Sequence, residues 1–359
     1  AALHLAERGL KPLILEASER IGGRLSGKDE INIKGKRFSS EHGVHGIWSS
    51  YLNLKSMLRR HEIISELVRA KDEQWIYRVG NSIRRAPIGN AIRNSIVPAP
   101  FHYIQLFFSP RFWGMLTLRD LLSIFNVWSV LVMALGIDPF VENQPLEGHT
   151  FGGALKKWGP AFRSLFFGLT RNGLATDPDQ VPLAGFLAFL RFYTLMRRDA
   201  WSFEYLPNGG GEVCEKLSAK ILNLGGEISF KRRVKRVEKD GDWVAHWEQD
   251  GIAGEDHAPF LILASDSPAA DSIIKNSFQA DNFFFPHGLG HAVIRLWFDK
   301  QPRRGPESGM FSGDFVMHNF FWLEKIYVPY KKWNVETGGA CIEAHVYGPP
   351  SVLAQPDAL

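Results

Sequence analysis

The sequence predicts an α/β fold in which a Rossmann-like nucleotide-binding domain is interleaved with a second domain of mixed sheet and helices. Three observations predict it. The chain opens on a helix, a short apolar strand and an acid: Ala1–Arg8 reads as helix, Gly9 stops it, and residues 11–15 lead to Glu16. A second α/β stretch, residues 207–264, returns to that rhythm. Between the two lies a Phe-, Leu-, Trp- and Pro-rich stretch, residues 96–203, which reads as apolar helices.

Each element has its own justification. Lys34 to His42 leads into Gly43-Val44-His45-Gly46-Ile47-Trp48, where two glycines around an apolar residue suit a tight backbone approach. Leu54, Met57, Leu58, His61, Ile64, Leu67 and Val68 recur at helical spacing and predict one amphipathic helix. Trp75–Val79 and Ser82–Ala86 form a hairpin around Gly80-Asn81, a pair suited to positive φ. The apolar helices break at Pro98, Pro100, Pro110, Pro139 and Pro160. Their longest uncharged run, Leu121–Ile137, is shorter than the roughly 20 residues of a membrane span, so burial or interfacial contact with a membrane is expected instead. Downstream, Pro207–Gly211 is a loop, and Val213, Leu217, Ile221 and Leu224 share a helix face that ends at Gly225-Gly226. Ile228 and Phe230 lie on a strand, Val234 and Val237 on an edge strand, and Lys239–Asp242 is a turn before the return strand Trp243–Trp247. Phe260–Ala264 (FLILA) is the apolar run of a buried parallel strand. Ala292–Phe298 and Cys341–Tyr347 alternate as strands of a mixed sheet. The expected division is 1–90 with 206–270 for nucleotide binding, and 91–205 with 271–359 for the substrate.

Composition narrows the function classes. With 45% hydrophobic and 22% charged residues over 359 positions, the chain is globular and long enough for two cores. A formal charge of +4 leaves no footprint of nucleic-acid binding. The local basic clusters Arg59-Arg60, Arg84-Arg85 and Lys231–Arg236 read as solvated faces. Two distant cysteines, Cys214 and Cys341, form neither a metal-ligand spacing nor a disulfide framework, which favours a reducing compartment. The 26 Phe and 11 Trp suit a pocket or surface for an apolar ligand.

Chemistry concentrates near the start. In a dinucleotide-binding unit, the acid that ends the second strand accepts hydrogen bonds from a ribose, which is the reading for Glu16. Gly22-Gly23-Arg24 follows six residues later; paired glycines admit a phosphate or a flavin to the backbone, and Arg24 adds a forked cationic donor. A helix, a strand and a Glu are common to many α/β proteins, so this string sharpens the reading more than the elements do. The Gly-rich turn that would precede the first helix is missing, so the chain is expected to be cut at its N-terminus.

Leu15-Glu16-Ala17-Ser18-Glu19-Arg20-Ile21-Gly22-Gly23-Arg24 resembles the EA…GGR signature of FAD-dependent amine oxidases and carotenoid (phytoene-type) desaturases. Pro207, Gly209, Gly210, Val234 and the 261–264 stretch match that group in order and spacing. Residues 41–48 with Tyr51, Asn53 and Leu54 resemble the desaturase/methyltransferase branch that makes aromatic end rings, as do residues 319–323 and 343–349. The resemblance implies an amine-oxidase-like fold with FAD as cofactor. It also implies contacts to FAD from Glu16, Ala17, Arg20, Gly22, Gly23, Arg24, Glu41, His42, Gly43, Val234 and Ala264. The group's C-terminal Gly-Asp segment is missing too, and the fragment is expected to bind FAD weakly or not at all.

A flavin performs the hydride or two-electron step itself, so neither a metal cluster nor a Ser/His/Asp set is required. The implied reaction is desaturation of a carotenoid or similar polyene, drawn from an apolar channel built by residues 96–203. His42 and His45 are the acid/base candidates; the alternative is that they bond backbone or flavin carbonyls. Glu41 either bonds the flavin or caps a turn, and Glu343, His345 and Tyr347 share one strand face, expected at the surface. The rivals are a flavin amine oxidase and a non-catalytic lipid-binding relative. An intracellular place is expected, peripheral on a membrane, on the bacterial cytoplasmic side or in a plastid.

Overall fold

A computed structural model of the chain describes residues 1–27, 29–64, 66–71, 73–138, 141, 146–199, 203–278, 289–302 and 305–348. Contacts divide it into two compact units. The first comprises Ala1–His42, Met57–Ser65 and Gly209–His287; the second comprises Gly43–Ser56, Glu66–Asn208 and Gly288–Leu359.

The first unit starts with helix Ala2–Ala6, which buries Leu3 and Ala6 and packs on helix Gly210–Asn223. Gly9, at φ 79°, ends that first turn of chain. Strand Leu13–Leu15 pairs in parallel with Glu227–Ser229. The strand is half-exposed rather than buried, because that single pairing is its whole ladder among the described residues. Arg233–Asp240, Asp242–Gln249 and Ile252–Ala258 form an antiparallel meander, turning at Gly241 and Gly251 in the left-handed region. Helix Ser267–Phe278 covers it, with Ile273 on Val237 and Ala245.

Two expectations about single elements fail. Phe260–Ala264 forms no strand, and Phe260 is 84% exposed. An apolar run is buried in a parallel sheet only where ladders flank it, and none does so among the described residues. The amphipathic helix spans only Leu52–Arg60, because Glu62 at φ 57° turns the chain away. Ile63 and Ile64 are buried beyond it, and Val68 lies on strand Val68–Arg69.

The second unit is built on a six-stranded mixed sheet. Its order is Gly290–Phe298, Ala340–Gly348, Asn319–Trp322, Ser308–Gly313, Glu73–Val79, Ser82–Ala86. All neighbours are antiparallel except Ser308–Gly313 with Glu73–Val79. The hairpin turns at Gly80-Asn81 as the sequence predicts, with Val79 opposite Ser82. Helices Pro110–Trp113, Leu118–Leu122, Ile124–Gly136, Phe151–Leu155, Pro160–Leu174 and Leu183–Phe189 supply the apolar layer. Pro110 and Pro160 sit in first turns, where the missing N–H is harmless. Pro139 lies outside the described residues. The core centres on Phe151 and Phe186, whose rings stack at 3.5 Å, with Trp158 and Phe166 edge-on.

Residues 66–90 belong to this second unit rather than to the nucleotide-binding part, since Glu73–Val79 is an interior strand of its sheet. Helix Ser267–Phe278 stays with the first unit because it packs on strand Arg233–Asp240. No helix among the described residues is long and apolar enough to cross a membrane. Leu118, Leu122, Phe125, Trp128 and Val132 are nevertheless exposed at three- and four-residue spacing, a continuous apolar stripe opposite buried Val127, Val130 and Ala134.

Candidate functional site

In the first unit the acid and the glycines occupy one loop. Glu16 follows strand Leu13–Leu15; its N–H donates to the Ser229 carbonyl, and its Oε1 accepts the Ser18 N–H at 2.7 Å. The Arg232 N–H donates to the Glu16 carbonyl, so the loop runs beside the chain entering Val234. Gly22 has φ 112°, and a Cβ there would stand 2.5 Å from the Cys214 Sγ. Only glycine fits. Gly23–Leu25 forms one 3-10 turn, closed by Leu25 N–H to the Gly22 carbonyl. The N–H groups of Gly23 and Arg24 take no acceptor among the described residues, and both residues are exposed. The turn thus presents two backbone N–H donors at an exposed stretch that also carries Arg24.

Glu41 resolves to a cap. Its Oε1 accepts the Gly210 N–H at 2.7 Å at the start of helix Gly210–Asn223. Gly209, at φ 82°, must lack a Cβ because the Glu41 carboxylate fills that space. The GG loop and the acid are thus one device. Arg20 reaches the Gly27 carbonyl at 3.5 Å. Ala17, His42 and Ala264 are exposed. At Val234 the ladder with Asp242–Gln249 slips between Val234 and Arg236, a bulge that re-aims the backbone.

In the second unit, a cavity of about 190 Å³ is lined by apolar and aromatic groups including Trp48, Trp75, Leu169, Phe203 and Phe321. Four of its lining residues bear chemistry: Glu73, Tyr205, His345 and Tyr347. The Tyr205 hydroxyl donates to Glu73 Oε1 at 3.2 Å. Burial pushes the Glu73 carboxyl up to about 8, against the opposing charge of Arg93, so it is largely protonated at neutral pH.

Glu343 and His345 correct an expectation: both are buried, not at the surface. Strand Ala340–Gly348 is interior, paired on both edges and covered on both faces, so alternation along it does not mark a wet side. Glu343 Oε1 accepts the Val44 N–H at 2.6 Å and the His345 Nε2–H at 2.7 Å, while Oε2 takes the Arg295 Nε–H at 2.5 Å. Burial opposes ionisation of Glu343, but the His345 bond and the Arg295 charge outweigh it and hold the carboxyl below its usual range. With the proton on Nε2, His345 Nδ1 is a buried lone pair that has no partner among the described residues. The His345 ring also fills the space where a Gly43 Cβ would stand, with Cε1 only 2.7 Å away.

The structure therefore gathers Glu16, Ala17, Arg20 and Gly22–Arg24 on one loop and ties Glu41 to Gly209-Gly210. Gly43 and His45 lie in the second unit, where Gly43 backs onto His345. The Glu73–Tyr205 pair was not foreseen, nor was the use of Glu343 as a hub. The alternation of residues 341–347 put Glu343 and His345 on one face, and only their burial was misread.

The match to known proteins follows this geometry. Residues 1–313 match the family described as flavin containing amine oxidoreductase. The chain is 22% identical over 375 residues to the chloroplastic/chromoplastic 15-cis-phytoene desaturase of Arabidopsis thaliana, covering 96% of this chain and 62% of that protein. It thus spans under two thirds of that relative's length. A carotenoid phi-ring synthase of Streptomyces griseus is 23% identical over 369 residues, with 97% and 67% covered. Among solved structures, a putrescine oxidase with putrescine bound superposes with a TM-score of 0.66 at 14% identity, covering 97% of this chain and 73% of that one. An oxidoreductase from Methanosarcina mazei gives 0.64 at 14% identity, with 98% and 77% covered. These likenesses agree with the α/β, amine-oxidase-like architecture. The chain belongs to the flavin containing amine oxidoreductases, a family of FAD-dependent oxidoreductases, and FAD is its cofactor.

Proposed function

We propose that the protein desaturates a carotenoid or similar apolar polyene, with FAD held by Glu16, Ala17, Arg20, Gly22, Gly23, Arg24, His42, Gly43, Val234 and Ala264. The observation that carries the cofactor part is the Gly22–Arg24 turn, whose two uncommitted amides and exposed Arg24 fit a pyrophosphate. Glu16 has one carboxylate oxygen engaged by Ser18, which leaves the other for ribose hydroxyls. Glu41 acts indirectly by fixing the start of helix Gly210–Asn223.

When bound, the flavin accepts the two electrons of a C–H bond. This chain's residues have the remaining tasks. Trp48, Trp75, Phe203 and Phe321 exclude water and hold an apolar group against a dry wall. A cavity of about 190 Å³ takes one end of such a molecule rather than its whole length. His345 lines that wall, and its Nδ1 is a buried lone pair whose tautomer is set by Glu343. His42 and His45 remain further acid/base candidates. The desaturase and phi-ring synthase relatives support the polyene, and the exposed stripe Leu118–Val132 supports peripheral contact with an intracellular membrane from which the polyene enters.

One observation favours the amine oxidase reading: Glu73 places a carboxyl in the cavity, where an ammonium would pair with it. Its raised proton affinity argues against a resident charge there. The test is anaerobic reduction of the FAD-loaded protein. Bleaching of the flavin band by a carotenoid precursor, and new pigment in a carotenoid-producing host, are expected. Bleaching by putrescine alone would install the amine oxidase instead, and bleaching by neither would leave a lipid-binding relative.

A further inference from the structure

A second concavity in the sheet-and-helix unit has no part in the chemistry above. This open groove, about 830 Å³, shares no lining residue with the smaller cavity. Six cations line it: Arg78, Arg119, Lys156, Lys157, Arg163 and Arg171. They come from a strand, two helices and the loop between helices, so their meeting is made by the fold and not by one solvated face.

Carboxylates do not neutralise it. Asp314 is the one acid among the described lining residues, and its Oδ2 is engaged by the Gly80 N–H at 2.8 Å. Arg171 pairs with Asp177 at 2.8 Å and stacks on Phe167, and the Arg78 Nε–H donates to the Gly80 carbonyl. Arg119, Lys156, Lys157 and Arg163 meet no carboxylate among the described residues. Like charges focused into a concavity raise the local potential and repel one another until an anion enters. Phosphate suits this arrangement better than a carboxylate. It presents at least three acceptor oxygens, so several ammonium and guanidinium groups can share it. Trp158, Phe167, Phe311 and Phe315 add apolar walls beside the charges.

We propose that this groove is a phosphate-binding site, filled by the headgroup of an anionic lipid or by a soluble phosphoester. The assignment stands independently of the flavin reading. The test uses the full chain loaded with FAD and reads Trp158-dependent fluorescence and co-flotation with vesicles. The probes are phosphatidylcholine vesicles with and without phosphatidylglycerol, and inorganic pyrophosphate. The wild type is expected to prefer the anionic vesicles or to bind pyrophosphate, in either case less as salt rises. Anionic vesicles alone identify a lipid source; pyrophosphate alone identifies a soluble one. The Lys156→Gln/Lys157→Gln/Arg163→Gln variant should bind roughly 100-fold more weakly, at about fivefold per removed charge. Lys156→Arg should retain binding, and circular dichroism with FAD content verifies that each variant folds. Equal binding by wild type and triple variant, or no preference of the wild type for phosphate over chloride and neutral lipid, would overturn the assignment.

Discussion

Glu343 accepts three donors from three separate parts of the sequence, and all of them are buried. Replacing it with Gln keeps the shape but leaves Arg295 without its counter-charge in a place that water does not reach. The expected loss for Glu343→Gln is about 3 kcal/mol in urea unfolding, since breaking a buried pair strands the surviving ion. Glu73 predicts a pH dependence of opposite character to that of a paired acid. Its folded pKa, about 8, lies above the usual carboxylate value of 4.5, so between those values the folded state binds more protons than the unfolded one. Stability is therefore lost as pH rises through that window, at up to about 1.4 kcal/mol per pH unit. Glu73→Gln should flatten the slope of unfolding free energy from pH 5 to 8; an unchanged slope would refute the assignment. At Gly22 the constraint is steric. Gly22→Ala meets Cys214 and a positive φ together, so flavin-fluorescence titration should show FAD affinity reduced tenfold or more, while Cys214→Ala added to it relieves only the contact.

At the scale of elements, helix Gly210–Asn223 depends on an acid far away in sequence. Removing the cap with Glu41→Ala should cost about 1 kcal/mol and fray the first turn, visible as faster amide exchange at Gly210 and Gly211. Elements were legible where local chemistry decides them: the Gly80-Asn81 hairpin, the Gly209 loop and its helix, and the meander turning at Gly241. They were illegible where partners decide. Residues 260–264 have the composition of an interior strand but no ladder beside them. Residues 341–347 alternate as if half-wet, yet neighbours on both edges and covers on both faces bury them. Helix Leu52–Arg60 continues in periodicity beyond Arg60, but one left-handed residue at Glu62 ends it. The same limit governs the site. Glu16 and Gly22–Arg24 lie close in sequence and could be read as a unit. The Glu73–Tyr205 pair and the Val44–Glu343 bond join residues separated by more than a hundred positions, which no local pattern encodes.

For the whole molecule, the exposed stripe on residues 118–132 and the cationic groove predict separable behaviour. Phe125→Ser with Trp128→Ser should reduce flotation with neutral and anionic vesicles alike, by about tenfold, because apolar insertion does not depend on lipid charge. Loss only on anionic vesicles would show that the stripe is not inserted.

The Glu343 hub also sets an order of events. Its bond to Val44 closes a loop of 299 residues, so during synthesis the segment after His42 waits, incompletely satisfied, until strand Ala340–Gly348 arrives. A nascent chain stalled before that strand should be captured by chaperones and cut easily by protease around Val44. Release of strand Ala340–Gly348 should silence both signals in one step.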